Sequence, residues 1–343
     1  MRIPIIILFL TAVLVSSCEK TPQNNNQPPL IEKGKGVFIV NEGRYGSGEA
    51  SVSYYRADSN TVYDDIFYTI NHRHLGDICQ SMYIFNGKAY IIVNNSRKIE
   101  VVDVNTFQSI ATISGLTSPR YFLPVSQTKA YVSDMYSNSV SVIDLNTNMK
   151  TGEIPCQGST EEMLAVNNKV YIANTEKEYI YIADPATDMI TDSIHLSYGP
   201  LSMVKDKAGK LWVLCMGNYL DNTKAALFKL NSDGNGVELK LFFTSYLNAW
   251  NKLKINRTED TLYFINGQVF RMATSSTGLP TDPFIVINSS NFYGLGVDDK
   301  TGNIYISDAI DYSQKGKIYI FTSRGILLNS FNAGIIPGGF YFY

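Results

Sequence analysis

Lys129-Ala130-Tyr131-Val-Ser-Asp134, followed by Val140-Ser-Val-Ile-Asp144, decides how this chain folds. Each half is a short run of strand-forming residues, and the polar stretch Asp134 to Asn138 separates them. Runs of this length with turn residues between them read as paired antiparallel strands. The same opening, a small residue or Lys ahead of an aromatic, recurs along the chain. It stands at Gly36-Val37-Phe38, Lys88-Ala89-Tyr90, Lys169-Val170-Tyr171, Lys210-Leu211-Trp212, Thr261-Leu262-Tyr263 and Asn303-Ile304-Tyr305. With Tyr131, the aromatics at 38, 90, 131, 171, 212, 263 and 305 mark seven units spaced 40 to 52 residues apart.

The surroundings repeat too. A second strand follows each aromatic by about ten residues, as in Ile99 to Asp103, Tyr179 to Ala183 and Ile318 to Phe321. A further strand comes after an Asn, Asp, Ser or Gly turn, as in Gln108 to Ile113 and Met189 to Leu196. Another apolar run precedes the aromatic, at Gln80 to Phe85, Tyr121 to Val125, Glu162 to Val166 and Leu201 to Lys205. Stretches with helical period are absent. Four short antiparallel strands per unit of about 44 residues is the signature of a β-propeller blade. The expected fold is therefore all-β: a seven-bladed β-propeller over residues 36–343. An isolated blade cannot cover its own faces, whereas radial packing covers each blade with its neighbours.

The two ends sharpen the expectation. The first unit, from Val37, lacks a first strand, and Ile335-Ile-Pro-Gly-Gly-Phe-Tyr-Phe-Tyr343 is one strand in excess. The C-terminal strand should close the first blade. Pro337 belongs at its start, where no ladder N–H is needed.

Ahead of the propeller, Arg2 and the apolar run Ile3 to Val15 are too short to span a bilayer and read as a signal peptide, residues 1–17. The run ends in Val15-Ser16-Ser17-Cys18, which resembles a bacterial lipobox, so Cys18 is the expected lipidation site. Residues 18–35, with Pro22, Pro28 and Pro29 among polar residues, read as the lipidated Cys and a flexible tether. The protein is expected to touch the membrane through this anchor alone.

Composition narrows the function. The chain has 29 Lys plus Arg and 31 Asp plus Glu, a formal net charge of −2, which argues against a nucleic-acid partner. The 23 Tyr stand out against 2 Trp, and Tyr serves both strands and wet binding surfaces. Cys79, Cys156 and Cys215 match no metal or redox spacing and read as buried small hydrophobes. His72-Arg73-His74 lacks a second ligand pair, so no metal is expected. Gly43 to Gly48 precedes a strand, not a helix, and is a loop. Asn231 to Gly236 opens like a calcium loop but has Phe242 at the twelfth position, so it reads as a hairpin turn. No catalytic constellation is found, and the protein is expected not to be an enzyme.

One propeller face gathers the loops joining second to third strands and those joining one blade to the next. There the sequence places Tyr45, Arg73, His74, Arg120, Tyr136, Tyr198, Tyr219, Tyr246, Trp250, Tyr293 and Tyr312. Aromatics interleaved with Asn, Asp, Ser and Arg suit a bulky neutral ligand edged with amides or hydroxyls.

Val37-Phe-Ile-Val-Asn-Glu-Gly43 with Ala50-Ser-Val-Ser-Tyr-Tyr55 resembles the opening of a group of Bacteroidetes surface-lipoprotein propellers similar to YncE. The likeness runs through Leu75-Gly-Asp77, Gly115 to Tyr121, Lys210-Leu-Trp-Val213 and Ser307 to Tyr312 to Ala333-Gly-Ile-Ile-Pro-Gly338. Within that group it is most similar to the BtuG branch. The resemblance implies a non-catalytic lipoprotein on the outer membrane, exposed at the cell surface. Such a protein would capture cobalamin or another corrinoid, as transported ligand and not as cofactor. It would hand the ligand to a TonB-dependent transporter resembling BtuB. A propeller that binds glycan or another nutrient, or scaffolds a transporter, shares most of these motifs.

Overall fold

A computed structural model describes residues 22–25, 27–231, 236–247, 252–288 and 291–343. The signal segment, Cys18 and Trp250 lie outside the described residues. Seven sheets form a ring of antiparallel blades. Blade 2 is typical: Cys79–Phe85, Lys88–Val93, Lys98–Asp103 and Ser109–Ile113 pair in chain order, from the channel to the rim. Blade 3 (Pro119–Pro124 to Met149–Pro155), blade 4 (Thr160–Val166 to Met189–His195), blade 5 (Pro200–Lys205 to Val237–Phe242) and blade 7 (Phe292–Val297 to Leu327–Ile335) repeat the order. Blade 6 keeps three strands, Leu253–Ile255, Thr261–Asn266 and Gln268–Ala273, and a single Val269–Ile285 bridge stands where its fourth would run.

The hairpins follow from local chemistry. At the turn after the third strand of blades 2, 3 and 4 an Asp side chain accepts backbone N–H groups two or three residues on: Asp103 from Asn105 and Thr106, Asp144 from Asn146, Asp184 from Ala186. These Asx turns reverse the chain without burying unpaired amides.

The seven aromatics that mark the repeat all lie on second strands, and all are buried: Phe38, Tyr90, Tyr131, Tyr171, Trp212, Tyr263 and Tyr305. They fill the space between blades. The Tyr90 ring stacks on Phe122 of blade 3 with centroids 4.2 Å apart, and Ile92, Val101, Val132 and Ile143 complete that layer. Cys79, Cys156 and Cys215 are free and buried, as their apolar surroundings suggested.

Closure is by the C-terminal strand. Pro337–Phe342 pairs antiparallel with Gly36–Asn41, so blade 1 contains both ends of the propeller, and Pro337 opens the strand. The seam is tied by Glu42 N–H to Ile336 O at 2.9 Å, Gly43 N–H to Ile335 O at 3.0 Å and Gly334 N–H to Asn41 Oδ1 at 3.1 Å. A Cβ at Gly334 would fall 2.5 Å from the Asn41 side chain, so only glycine permits this approach.

Two features depart from the sequence reading. The described part of the expected tether is not loose. Gln23–Asn25 adds a parallel fifth strand to the short outer strand Thr61–Tyr63, Ile31 is buried, and Arg56 holds Leu30 O and Glu32. The unpaired edge of Thr61–Tyr63 and an apolar side chain account for the docking. In addition, Ile66–Asn71 is a helix, capped by Asp65 accepting from Tyr68 N–H. Six residues are too few to show a helical period in sequence.

Candidate functional site

A cavity of about 300 Å³ opens at the centre of the predicted loop face. Its walls come chiefly from the first strands, which line the channel: Gln80 from blade 2, Arg120 and Tyr121 from blade 3, Glu162 from blade 4, Lys254 from blade 6, Tyr293 from blade 7 and Tyr341 from blade 1. Lys252, just ahead of the blade 6 strand, and Glu42, at the end of blade 1's second strand, complete the wall, while Tyr45 and Tyr136 rise from loops at the rim.

Several of the side chains reach the cavity from irregular strands. In every blade but the sixth, the register breaks near the channel-mouth end of the first strand. The residues spanned by these breaks are Gln80, Arg120 with Tyr121, Glu161 with Glu162, Leu201, Tyr293 with Gly294, and Gly338. A β-bulge releases such residues from the ladder and re-aims their side chains.

The polar groups form a connected set. Arg120 Nε donates to Glu161 Oε1 at 2.7 Å, and its Nη1 donates to Gln80 Oε1. Tyr293 Oη donates to Glu42 Oε2 at 2.9 Å. Glu162 accepts from Ser202 Oγ at 2.6 Å and Met203 N–H at 3.2 Å, and Lys254 Nζ lies 3.8 Å from its other oxygen. Lys252 Nζ sits 5.2 Å from the centre of the Tyr121 ring. Burial raises the Glu42 carboxyl to about 7, against the opposing pull of Arg120, the Tyr293 hydrogen bond and Lys252. Burial, reinforced by neighbouring carboxylates, also holds the Tyr121 and Tyr293 phenols well above their ordinary range, so both are neutral. The mouth thus combines neutral aromatic walls with three carboxyl groups and three cations, and it carries no large field of one sign.

Of the residues the sequence proposed, Arg120 and Tyr293 line the cavity, and Tyr45 and Tyr136 stand at its rim, 82% and 67% exposed. Tyr312 packs edge-on against Tyr293, centroids 6.1 Å apart. Tyr219 is exposed and lies 6.0 Å from Tyr246, rings tilted by 56°. Tyr198 is half-buried and its carbonyl accepts from Gly217 N–H. Arg73 is committed elsewhere: it pairs through both Nη atoms with Glu100, at 2.9 and 2.8 Å, and covers the Phe67 ring. Glu100 is a buried carboxylate on a third strand, and such a group demands a cation wherever one can reach it. His74 stacks on Tyr68 of the short helix. Among the described residues no cluster of His, Cys, Asp or Glu is arranged to hold a metal ion.

Sequence reasoning missed Glu42, Gln80, Tyr121, Glu162, Lys252, Lys254 and Tyr341. Glu42 opens the loop Asn41 to Glu49, whereas the others sit on or beside channel-lining strands and not in the loops. The available signal was the polar residues inside otherwise apolar first strands, such as Glu161-Glu162 ahead of Met163-Leu164.

The fold and its channel mouth define a seven-bladed propeller with one concave, polar-aromatic site on its loop face. The chain belongs to the DUF5074 family, described as a domain of unknown function, whose match covers residues 35–342. No curated protein matches the sequence. Among solved structures, it is similar to a quinonprotein alcohol dehydrogenase-like protein from Bacteroides thetaiotaomicron, with 17% identity and a TM-score of 0.71, covering 90% of this chain and 78% of that one. A functionally unknown protein from Desulfotomaculum acetoxidans gives 11% identity and a TM-score of 0.64, covering 90% and 98%. Hydrazine synthase from Kuenenia stuttgartiensis gives 13% and 0.57, covering 74% and 85%. At such identities the likeness is one of fold.

Proposed function

We propose that this protein is a non-catalytic capture propeller, anchored through Cys18 to the outer membrane and exposed at the cell surface. It takes up cobalamin or another corrinoid and passes it to a TonB-dependent transporter resembling BtuB. The observation that carries the reading is the channel mouth itself: neutral phenols, amides and largely paired charges around one cavity, with the exposed rings of Tyr45 and Tyr136 above it. A corrinoid is a broad ring edged with carboxamides. Its body exceeds a cavity of about 300 Å³, so it rests on the rim and inserts one substituent. Aromatic faces and amide-pairing groups supply affinity for such a ligand without strong electrostatics.

The alternative, a glycan-binding or other nutrient accessory, calls for a flat aromatic platform. The Tyr219–Tyr246 pair is tilted by 56° and the Tyr293–Tyr312 pair by 75°, so neither pair offers two coplanar rings. Calorimetric titration of the full chain with cyanocobalamin tests the corrinoid reading. Saturable one-to-one binding is expected; absence of both heat and thermal shift would remove it.

A further inference from the structure

The cations at the channel mouth are not equivalent. Arg120 is engaged by Glu161 and Gln80. Lys254 faces Glu162 at 3.8 Å, at the limit of an ion pair, and that carboxylate is already engaged by Ser202 and Met203. Lys252 has no carboxylate within 4 Å among the described residues, and its ammonium lies over the face of Tyr121. Both lysines line the cavity and are half-buried. A half-buried ammonium with no carboxylate in direct contact loses hydration and gains little in return, unless an anion arrives to pair with it.

We propose that the wall of the channel mouth holds an anion subsite, in which Lys252, seconded by Lys254, receives a carboxylate or phosphodiester group. The proposal deepens the capture reading and rests on it only in taking the mouth to receive a ligand. Tyr121 helps by fixing the ammonium over its ring face, the preferred geometry for a cation and an aromatic. Glu42 sets the pH response. It is faced by Arg120 of blade 3, Lys252 beside blade 6, Tyr293 of blade 7 and Glu161 of blade 4. Its carboxyl titrates near 7, so the mouth gains positive charge as pH falls through that value. Anions should bind more tightly at about pH 6 than at about pH 8, and Glu42→Gln should flatten that dependence.

The test uses the full chain with ¹³C-methylated lysines, titrated with acetate and with dimethyl phosphate, monoanions at any pH near neutral. Saturable movement of the Lys252 methyl signal is expected, with affinity lower by about tenfold or more in Lys252→Met and restored in Lys252→Arg. A parallel titration compares cyanocobalamin, which carries a phosphodiester, with dicyanocobinamide, which does not. Preference for cyanocobalamin that vanishes in Lys252→Met places the ligand's own phosphodiester in the subsite. Equal binding of both corrinoids, together with a saturable acetate shift, assigns the subsite to a free anion. A saturable shift with neither corrinoid bound keeps the subsite and ends the corrinoid reading. Corrinoid binding without any saturable shift, and unchanged in Lys252→Met, overturns the subsite and leaves the capture reading standing. No shift and no corrinoid binding overturns both. Native unfolding of each variant, followed by circular dichroism, guards against loss of fold.

Discussion

The second strands and the first strands of the propeller belong to the same sheets yet obey different rules. Second strands keep their register, and each buries an aromatic between blades: Trp212, Tyr131 and Phe38 are fully enclosed. First strands break register in six blades and turn Gln80, Arg120, Glu162 and Tyr293 toward an open channel. Where side chains must interlock with a neighbouring blade, the period of two is enforced by packing. Where side chains must point at a ligand, bulges give up ladder hydrogen bonds to aim them. Stability is concentrated in one layer of the ring, and the proposed recognition in the layer inside it.

The comparison breaks most completely if the clasp is removed. Deleting residues 335–343 takes away blade 1's innermost strand and exposes the Gly36–Asn41 edge. Loss of cooperative thermal unfolding, or failure to accumulate as folded protein, is the expected result. An unchanged melting curve would contradict the ring closure. Next in size is Trp212→Ala. It empties a fully buried site and takes from Asp206 Oδ2 the indole donor that stands 2.9 Å away. A loss of about 3–5 kcal/mol in denaturant unfolding is expected.

The Glu42 carboxyl gives a pH test of the inner layer. It holds its proton more tightly in the folded chain, near 7, than at the ordinary value of 4.5. Its contribution to stability is therefore complete below about 4.5 and is lost as pH rises to about 7. The loss should be at most about 3 kcal/mol. Unfolding measured across that window should show the decline, and Glu42→Gln should remove it. If the variant keeps the same slope, another group is responsible. The smallest effect on stability belongs to Tyr45→Ala at the rim, within about 0.5 kcal/mol. The same change should weaken corrinoid binding measurably, which separates recognition from folding at a single position.

Most of the fold was legible in the chain. The aromatic at 38, 90, 131, 171, 212, 263 and 305 is a packing requirement repeated once per blade, and such requirements leave a period in sequence. The C-terminal clasp was legible for a similar reason, since a missing first strand and a surplus last one must meet. The site was legible only in outline. Arg120, Tyr293, Tyr45 and Tyr136 were found because they lie in or beside the loops of one face. Arg73 was drawn away by Glu100, a buried carboxylate that looks like any alternating strand residue in sequence. Residues 22–35 read as a tether because composition does not reveal the open edge of Thr61–Tyr63 on which Gln23–Asn25 docks.

By itself, then, the sequence determined the number of blades, their four-strand plan and the way the ring closes. These depend on local patterns of apolar spacing and on turn residues that act within a few positions. Only the tertiary structure decided which polar side chains share the channel mouth. Glu42, Gln80, Glu162, Lys252, Lys254 and Tyr341 come from four different blades. They meet because ring closure brings strands remote in the chain around one channel, and bulges aim Gln80 and Glu162 into it; no local pattern encodes that meeting.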